Sequence, residues 1–181
     1  PEALLENGDL RPEHKGHPHS LSDLQTHWLH GRETGNGFGA TARHLYVEYD
    51  KPRASFDVSA FEAAWNYVLA RHDILRSTIS DNVVTTLSEV PPYQIPHLDL
   101  SGKDPAEVAE QLTTIRYEMS NQSFDLAKWP FFDLRVSHID ADTLRLHIDI
   151  DTTLVDVESF QIILREIERR YPEPSLFVGG D

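Results

Sequence analysis

Thr143-Leu-Arg-Leu-His-Ile-Asp-Ile-Asp151-Thr-Thr-Leu-Val-Asp156-Val-Glu-Ser159-Phe-Gln-Ile-Ile-Leu-Arg-Glu-Ile167 decides the fold. Leu144, Leu146, Ile148 and Ile150 alternate with Arg145, His147, Asp149 and Asp151, the period of two that gives a strand one apolar and one polar face. The period then changes. Val157, Phe160, Ile163, Leu164, Ile167 and Tyr171 recur at helical spacing and form one stripe to be buried. Asp156 stands just before them, where its oxygen can cap a backbone N–H near Glu158 or Ser159. A strand that turns within a few residues into a capped helix is the building unit of an α/β fold.

The neighbouring segments extend that reading. Phe132 to Ile139 is a second strand, joined to the first at Asp140-Ala-Asp142 as a hairpin. Ala42 to Tyr49 alternates with Leu45, Val47 and Tyr49 on one side, and Asp50-Lys-Pro52 is expected to end it. Asp57 can cap a helix whose stripe is Val58, Phe61, Ala64, Trp65, Val68 and Leu69, with Arg71-His72 suited to its C-terminal dipole. Ile79 to Val90 reads as a hairpin around Val83-Val84-Thr85-Thr86-Leu87, and Tyr93 to Leu98 as a short extended piece. Pro105 opens a helix over Ala106 to Asn121 with Val108, Leu112, Ile115 and Met119 on one face. Ser22 is placed to cap a short helix ending at Gly31, before a loop containing Gly35, Gly37 and Gly39.

Composition sets outer bounds. With 181 residues, 39% of them hydrophobic and 25% charged, the chain can bury a core and should fold as one lobe or domain. Thirty acidic against sixteen basic side chains give a net charge of −14, which repels nucleic-acid phosphates and anionic lipid. No apolar run approaches the roughly 20 residues that cross a bilayer, so no membrane association and a cytoplasmic location are expected. The absence of cysteine removes disulfides, thiolate zinc sites and a thiol nucleophile. His27 and His30, and the trio His14, His17 and His19, lack a carboxylate at metal-site spacing, so no metal is expected. The glycine series lacks the Lys-Ser/Thr and strand-to-helix context of a phosphate loop.

Four segments, in chain order, resemble the successive motifs of heterocyclization domains of non-ribosomal peptide synthetases, in the condensation-domain superfamily. They are Ser20-Leu-Ser-Asp-Leu-Gln25-Thr-His-Trp28-Leu-His-Gly31-Arg32, Arg71-His72-Asp-Ile-Leu75-Arg76, Trp129-Pro130-Phe-Phe-Asp-Leu-Arg135 and Asp151 to Ser159. The first departs from the family's Phe-Pro start, having His19-Ser20. In the last, ordinary condensation domains carry His-His-x-x-x-Asp-Gly and heterocyclization domains Asp-x-x-x-x-Asp-x-x-Ser. Asp151, Asp156 and Ser159 fill the latter pattern, and Thr152 stands in place of the second histidine.

The resemblance implies a chloramphenicol-acetyltransferase-like lobe, a mixed β-sheet packed with helices, forming one half of a two-lobed fold with a tunnel between the halves. On it, residues 1–20 are a leader or linker, 21–172 the amino-terminal lobe, and 173–181 a tail or the start of the inter-lobe connection. The implied activity joins a carrier-bound acyl or peptidyl thioester to carrier-bound Cys, Ser or Thr and cyclodehydrates the product to thiazoline or oxazoline. Substrates would ride on the phosphopantetheine of carrier proteins, with no cofactor bound by the domain itself. The implied partners are those carriers, a complementary carboxyl-terminal lobe and adjacent synthetase domains. An isolated lobe is expected to be inactive and to self-associate through its exposed inter-lobe face. A contrasting expectation is a truncated, non-catalytic lobe serving as a docking module.

The motif residues have ordinary structural uses. Asp156 and Ser159 fit a helix cap, and no histidine is placed in sequence as a base for Ser159. Asp151, Asp156, Ser159 and Arg76 are therefore read as a structural set, with Arg76 the first choice of ion partner for Asp156, and Arg135 or Arg145 for Asp151. If Asp156 held a buried Arg76, its removal would cost about 3 kcal/mol. Thr152 and Thr153 are the tunnel-facing candidates, and no residue is assigned as catalytic.

Overall fold

The computed structural model describes residues 18–21, 26, 29, 44–171 and 177. Thr26 and Leu29 are helical, while the rest of the expected Ser22 helix, the Gly35–Gly39 loop, residues 1–17 and most of 172–181 lie outside the described residues. The elements run β1 (His19–Ser20), β2 (His44–Pro52), α1 (Val58–Arg71), a 3-10 turn (Asp73–Arg76), β3 (Ser77–Ser80), β4 (Val83–Thr86), β5 (His97–Asp99), α2 (Pro105–Asn121), β6 (Phe132–His138), β7 (Thr143–Asp151) and α3 (Val157–Arg170). Four strands form a mixed sheet in the order β2-β7-β6-β5, with only β5 parallel to its neighbour, and β1-β4-β3 form a second, antiparallel sheet.

Register follows the alternation of β7. Leu45, Val47 and Tyr49 of β2 lie opposite Ile150, Ile148 and Leu146, while Phe132, Leu134 and Val136 of β6 flank those same residues from the other side. This apolar face packs against α1 and α3 through Phe61, Trp65, Val68, Phe160, Ile163 and Ile167, all buried. Three contacts lock the helices together: Tyr171 Oη accepts the Asp57 N–H at 2.6 Å, and Glu166 takes His72 at 2.9 Å and Arg71 at 3.4 Å. α2 lies over the opposite, polar face, held by Arg116 to Glu48 of β2 and Gln122 to Asp149 of β7.

Three expectations are corrected. β2 continues through Asp50-Lys-Pro52 to pair with Thr143, because a proline without an N–H is tolerated on an edge strand and Arg53 N–H still donates to Asp142 O at 2.8 Å. Val157, the first residue of α3, is 56% exposed, whereas Phe160 three residues on is buried. On α2 only Ile115 and Met119 are buried, and Val108 and Leu112 are half-buried. The Ile79–Val90 hairpin forms as a β3-β4 pair with Asp81 and Asn82 both at positive φ, 52° and 61°, the left-handed pair that a two-residue hairpin turn needs.

Candidate functional site

The corner between β7 and α3 turns inward. Asp151 is fully buried; its N–H donates to Phe131 O at 3.0 Å, and its Oδ1 accepts the Thr153 N–H at 2.9 Å, which closes the first turn of the chain leaving the strand. Thr153, Leu154 and Val155 are buried behind it and Thr152 is half-buried. Asp156 emerges at the surface as the N-cap of α3, with Oδ1 accepting the Ser159 N–H at 2.8 Å. That backbone bond, reinforced by the Ser159 side chain, holds the Asp156 carboxyl below its ordinary value of 3.8.

Arg76 is elsewhere. Its guanidinium donates to the last carbonyls of α1, Leu69 O at 2.8 Å and Ala70 O at 2.7 Å, to Leu87 O at 3.3 Å, and to Asp73 Oδ1 at 2.8 Å. The expected Asp156–Arg76 pair is therefore not made: the arginine caps one helix and the aspartate another. Asp156→Ala should then cost about 1 kcal/mol, the value of a lost N-cap, in place of about 3. Asp156→Asn, which caps equally well, should stay within a few tenths of wild type. Because the folded-state pKa is lowered, the charged cap's contribution is present above the unfolded value near 3.8 and is lost as pH falls through the folded one. Urea unfolding at pH 7 and pH 3 measures both effects.

Behind the corner, the polar sides of β2, β7 and β6 form a continuous network under α2. Tyr46 Oη donates to Glu48 Oε1 at 2.7 Å, so toward His147 Nδ1, 2.8 Å away, its oxygen acts as acceptor and the imidazole proton sits on Nδ1. His147 Nε2 then accepts from Ser137 Oγ at 3.0 Å. Burial drives the His147 pKa down to about 4, so the ring is neutral at pH 7. Glu48 bridges Arg116 at 2.6 Å and Arg145 at 3.0 Å; burial alone would raise its pKa, but the bonds from Arg116 and Tyr46 and the Arg145 charge bring it below the ordinary value. Arg145 is also bidentate to Asp50, and Arg135 donates twice to Asp133 Oδ2. Neither arginine pairs with Asp151, contrary to expectation, because each is held by an acid on its own face of the sheet. At the corner end of the network, the buried Asp149 takes His44 Nδ1 and Gln122 Nε2, each at 2.6 Å.

The family model described as the condensation domain matches residues 44–175. The chain belongs to the condensation-domain family. Among curated relatives, pyochelin synthetase PchF of Pseudomonas aeruginosa is 35% identical over 180 residues, covering 96% of this chain and 10% of the relative. Phenyloxazoline synthase MbtB of Mycobacterium tuberculosis is 29% identical over 177 residues, covering 94% of this chain and 12% of the relative. Among solved structures, the EpoB non-ribosomal peptide synthetase cyclization-docking bidomain from Sorangium cellulosum aligns with a TM-score of 0.81 at 31% identity, over 93% of this chain and 34% of that one. The chain thus spans about a tenth of the curated relatives and a third of the solved bidomain. The resemblance to heterocyclization domains is borne out at the level of family and fold.

Within this condensation domain, the sequence reading placed Asp151, Thr152, Thr153, Asp156 and Ser159 together at one corner, and they are together. It missed His44, Tyr46, Glu48 and Gln122. The signal for the first three was the period-two polar series His44, Tyr46, Glu48, Asp50, which matches Asp151, Asp149, His147, Arg145 rung for rung; Gln122 carried none beyond following a helix. Among the described residues no cluster of three or more His, Asp or Glu side chains could hold a metal ion, and no helix is long and apolar enough to cross a membrane.

Proposed function

We propose that this condensation domain belongs to a heterocyclization unit. It joins a carrier-bound acyl or peptidyl thioester to carrier-bound Cys, Ser or Thr, and the adduct then loses water to give a thiazoline or oxazoline. The observation that carries the reading is the Asp151, Asp156, Ser159 spacing on a buried strand-to-helix corner, in a fold similar at 31% identity to a cyclization bidomain.

The chemistry asks little of resident groups. Phosphopantetheine arms on the carriers hold donor and acceptor at high effective concentration, leaving the domain to orient amine and thioester. Thr152 is the half-buried hydroxyl-bearing residue where the chain leaves β7, and in this reading it faces the substrate, whereas Thr153 is buried within the lobe. Asp156 and Ser159 hold the first turn of α3 in place below them. Carrier proteins, a complementary carboxyl-terminal lobe and adjacent synthetase domains are the partners this requires.

The test is intact-protein mass spectrometry of an acceptor carrier loaded with Cys, incubated with a loaded donor carrier, this chain and the complementary lobe. The expected result is acyl transfer followed by loss of one water, with neither lobe sufficient alone. Carrier binding without any transfer would overturn the reading in favour of a docking module.

A further inference from the structure

The buried pair His44–Asp149 adjoins the Asp151 corner, and the proposed function leaves it unused. We propose that His44 is the base that accepts the acceptor amine's proton during amide formation, with Asp149 and Gln122 fixing its orientation. The proposal rests on the heterocyclization reading.

Asp149 is fully buried, and both of its oxygens are engaged, Oδ1 by His44 Nδ1 and Oδ2 by Gln122 Nε2, each at 2.6 Å. A carboxylate only accepts, so the imidazole proton is fixed on Nδ1 and the lone pair is left on Nε2. Nε2 makes no hydrogen bond among the described residues, and the His44 side chain keeps 9% of its surface open. The backbone sets His44 directly opposite Asp151 on the last rung of the β2-β7 pair, at the strand end from which Thr152 and Thr153 depart. A purely structural pair tying the edge strand to the end of α2 accounts for Nδ1; it leaves Nε2 without a role.

The groups around the ring suit a proton acceptor. Asp149 and Asp151 face it from β7, Asp133 from β6 beyond Asp149, Tyr46 and Glu48 follow on β2, His147 on β7, and neutral Gln122 comes from the C-cap of α2. Of the cations on this polar face, Arg135 is paired with Asp133, Arg145 with Asp50 and Glu48, and Arg116 of α2 with Glu48. When Nε2 takes a proton, Nδ1–H remains directed at the Asp149 carboxyl, as in other His–Asp arrangements. In the step itself, the uncharged amine bonds the thioester carbon and its proton passes to Nε2. The C–S bond breaks, and Nε2–H returns the proton to the departing thiolate sulfur. Nothing is consumed beyond the two substrates.

The experiment uses the full synthetase module containing this chain, with Cys-loaded acceptor and acyl-loaded donor carriers, and measures single-turnover amide formation by intact-protein mass spectrometry between pH 5.5 and 8.5. His44→Gln should be slower by about 10²-fold or more, with unchanged carrier binding. Asp149→Asn should be slower too, and its His44 imidazole should no longer be held as the Nδ1–H tautomer. Nitrogen NMR of the wild-type imidazole provides a variant-free check: the Nδ1–H tautomer is expected, and an Nε2–H tautomer would overturn the proposal even if His44→Gln failed to fold. A His44→Gln rate equal to wild type would overturn the base assignment alone. Absence of amide from wild type at every pH would overturn the heterocyclization reading and this proposal together.

Discussion

Phe132→Ala should lower the unfolding free energy by about 4 kcal/mol. Phe132 opens β6 at 1% exposure, and its ring meets four others: Trp65 edge-on at 5.0 Å, Tyr93 at 5.1 Å, Phe131 at 5.9 Å and Trp129 at 6.1 Å. Truncation removes the transfer free energy of the ring and leaves a cavity that these neighbours cannot fill. Trp129 is tied by Nε1–H to Leu75 O at 3.0 Å, and Tyr93 Oη accepts the Leu134 N–H at 2.9 Å. Aromatic pair terms of about 0.5–1.5 kcal/mol are lost in addition to buried area. Phe132→Leu, which keeps much of the volume, should cost less than half as much; urea unfolding of the two variants measures the difference.

The second large effect is a pH dependence carried by His147. Its pKa is about 4 in the folded chain against 6.5 for the free side chain. Below 6.5 the unfolded state therefore binds a proton that the folded state refuses. The sign is fixed: the contribution is fully present above pH 6.5, is lost as pH falls, and is gone near pH 4. A shift of that size corresponds to about 3 kcal/mol. Asp149 works in the opposite direction, since burial raises its pKa and favours the folded state in acid. The difference between wild type and His147→Gln isolates the histidine. Wild-type stability should fall relative to the variant between pH 6.5 and 4, with the two curves parallel above pH 7; parallel curves throughout would contradict a buried neutral ring.

What was legible in the sequence depended on local pattern. The β7-to-α3 corner could be read because the change of period and the Asp156 cap are contained within a dozen residues, and the α1 stripe and the β6-β7 hairpin were readable for the same reason. The Asp156–Arg76 pair failed because the carbonyls of Leu69 and Ala70 reach Arg76 only after the 3-10 turn at Asp73–Arg76 reverses the chain. Helical spacing alone could not show that Val157, at the start of α3, stays exposed. The His44–Asp149 and Tyr46–His147 contacts join residues about a hundred positions apart, so they required the β2-β7 register. Each strand displayed its polar alternation, but nothing local identified the partner strand. The family motif marked the corner, and the buried groups beside it became visible only when the strands were paired.

The most direct measurement compares acceptor carriers loaded in parallel with Cys, Ser, Thr and Ala in the full module containing this chain. The mass of each acceptor carrier is followed after addition of the loaded donor. The account predicts acyl transfer to all four and subsequent loss of one water from at least one of the Cys, Ser and Thr products, with none from the Ala product, whose side chain has no nucleophile. Acyl transfer to all four with no loss of water from any would contradict heterocyclization and leave a domain that condenses only.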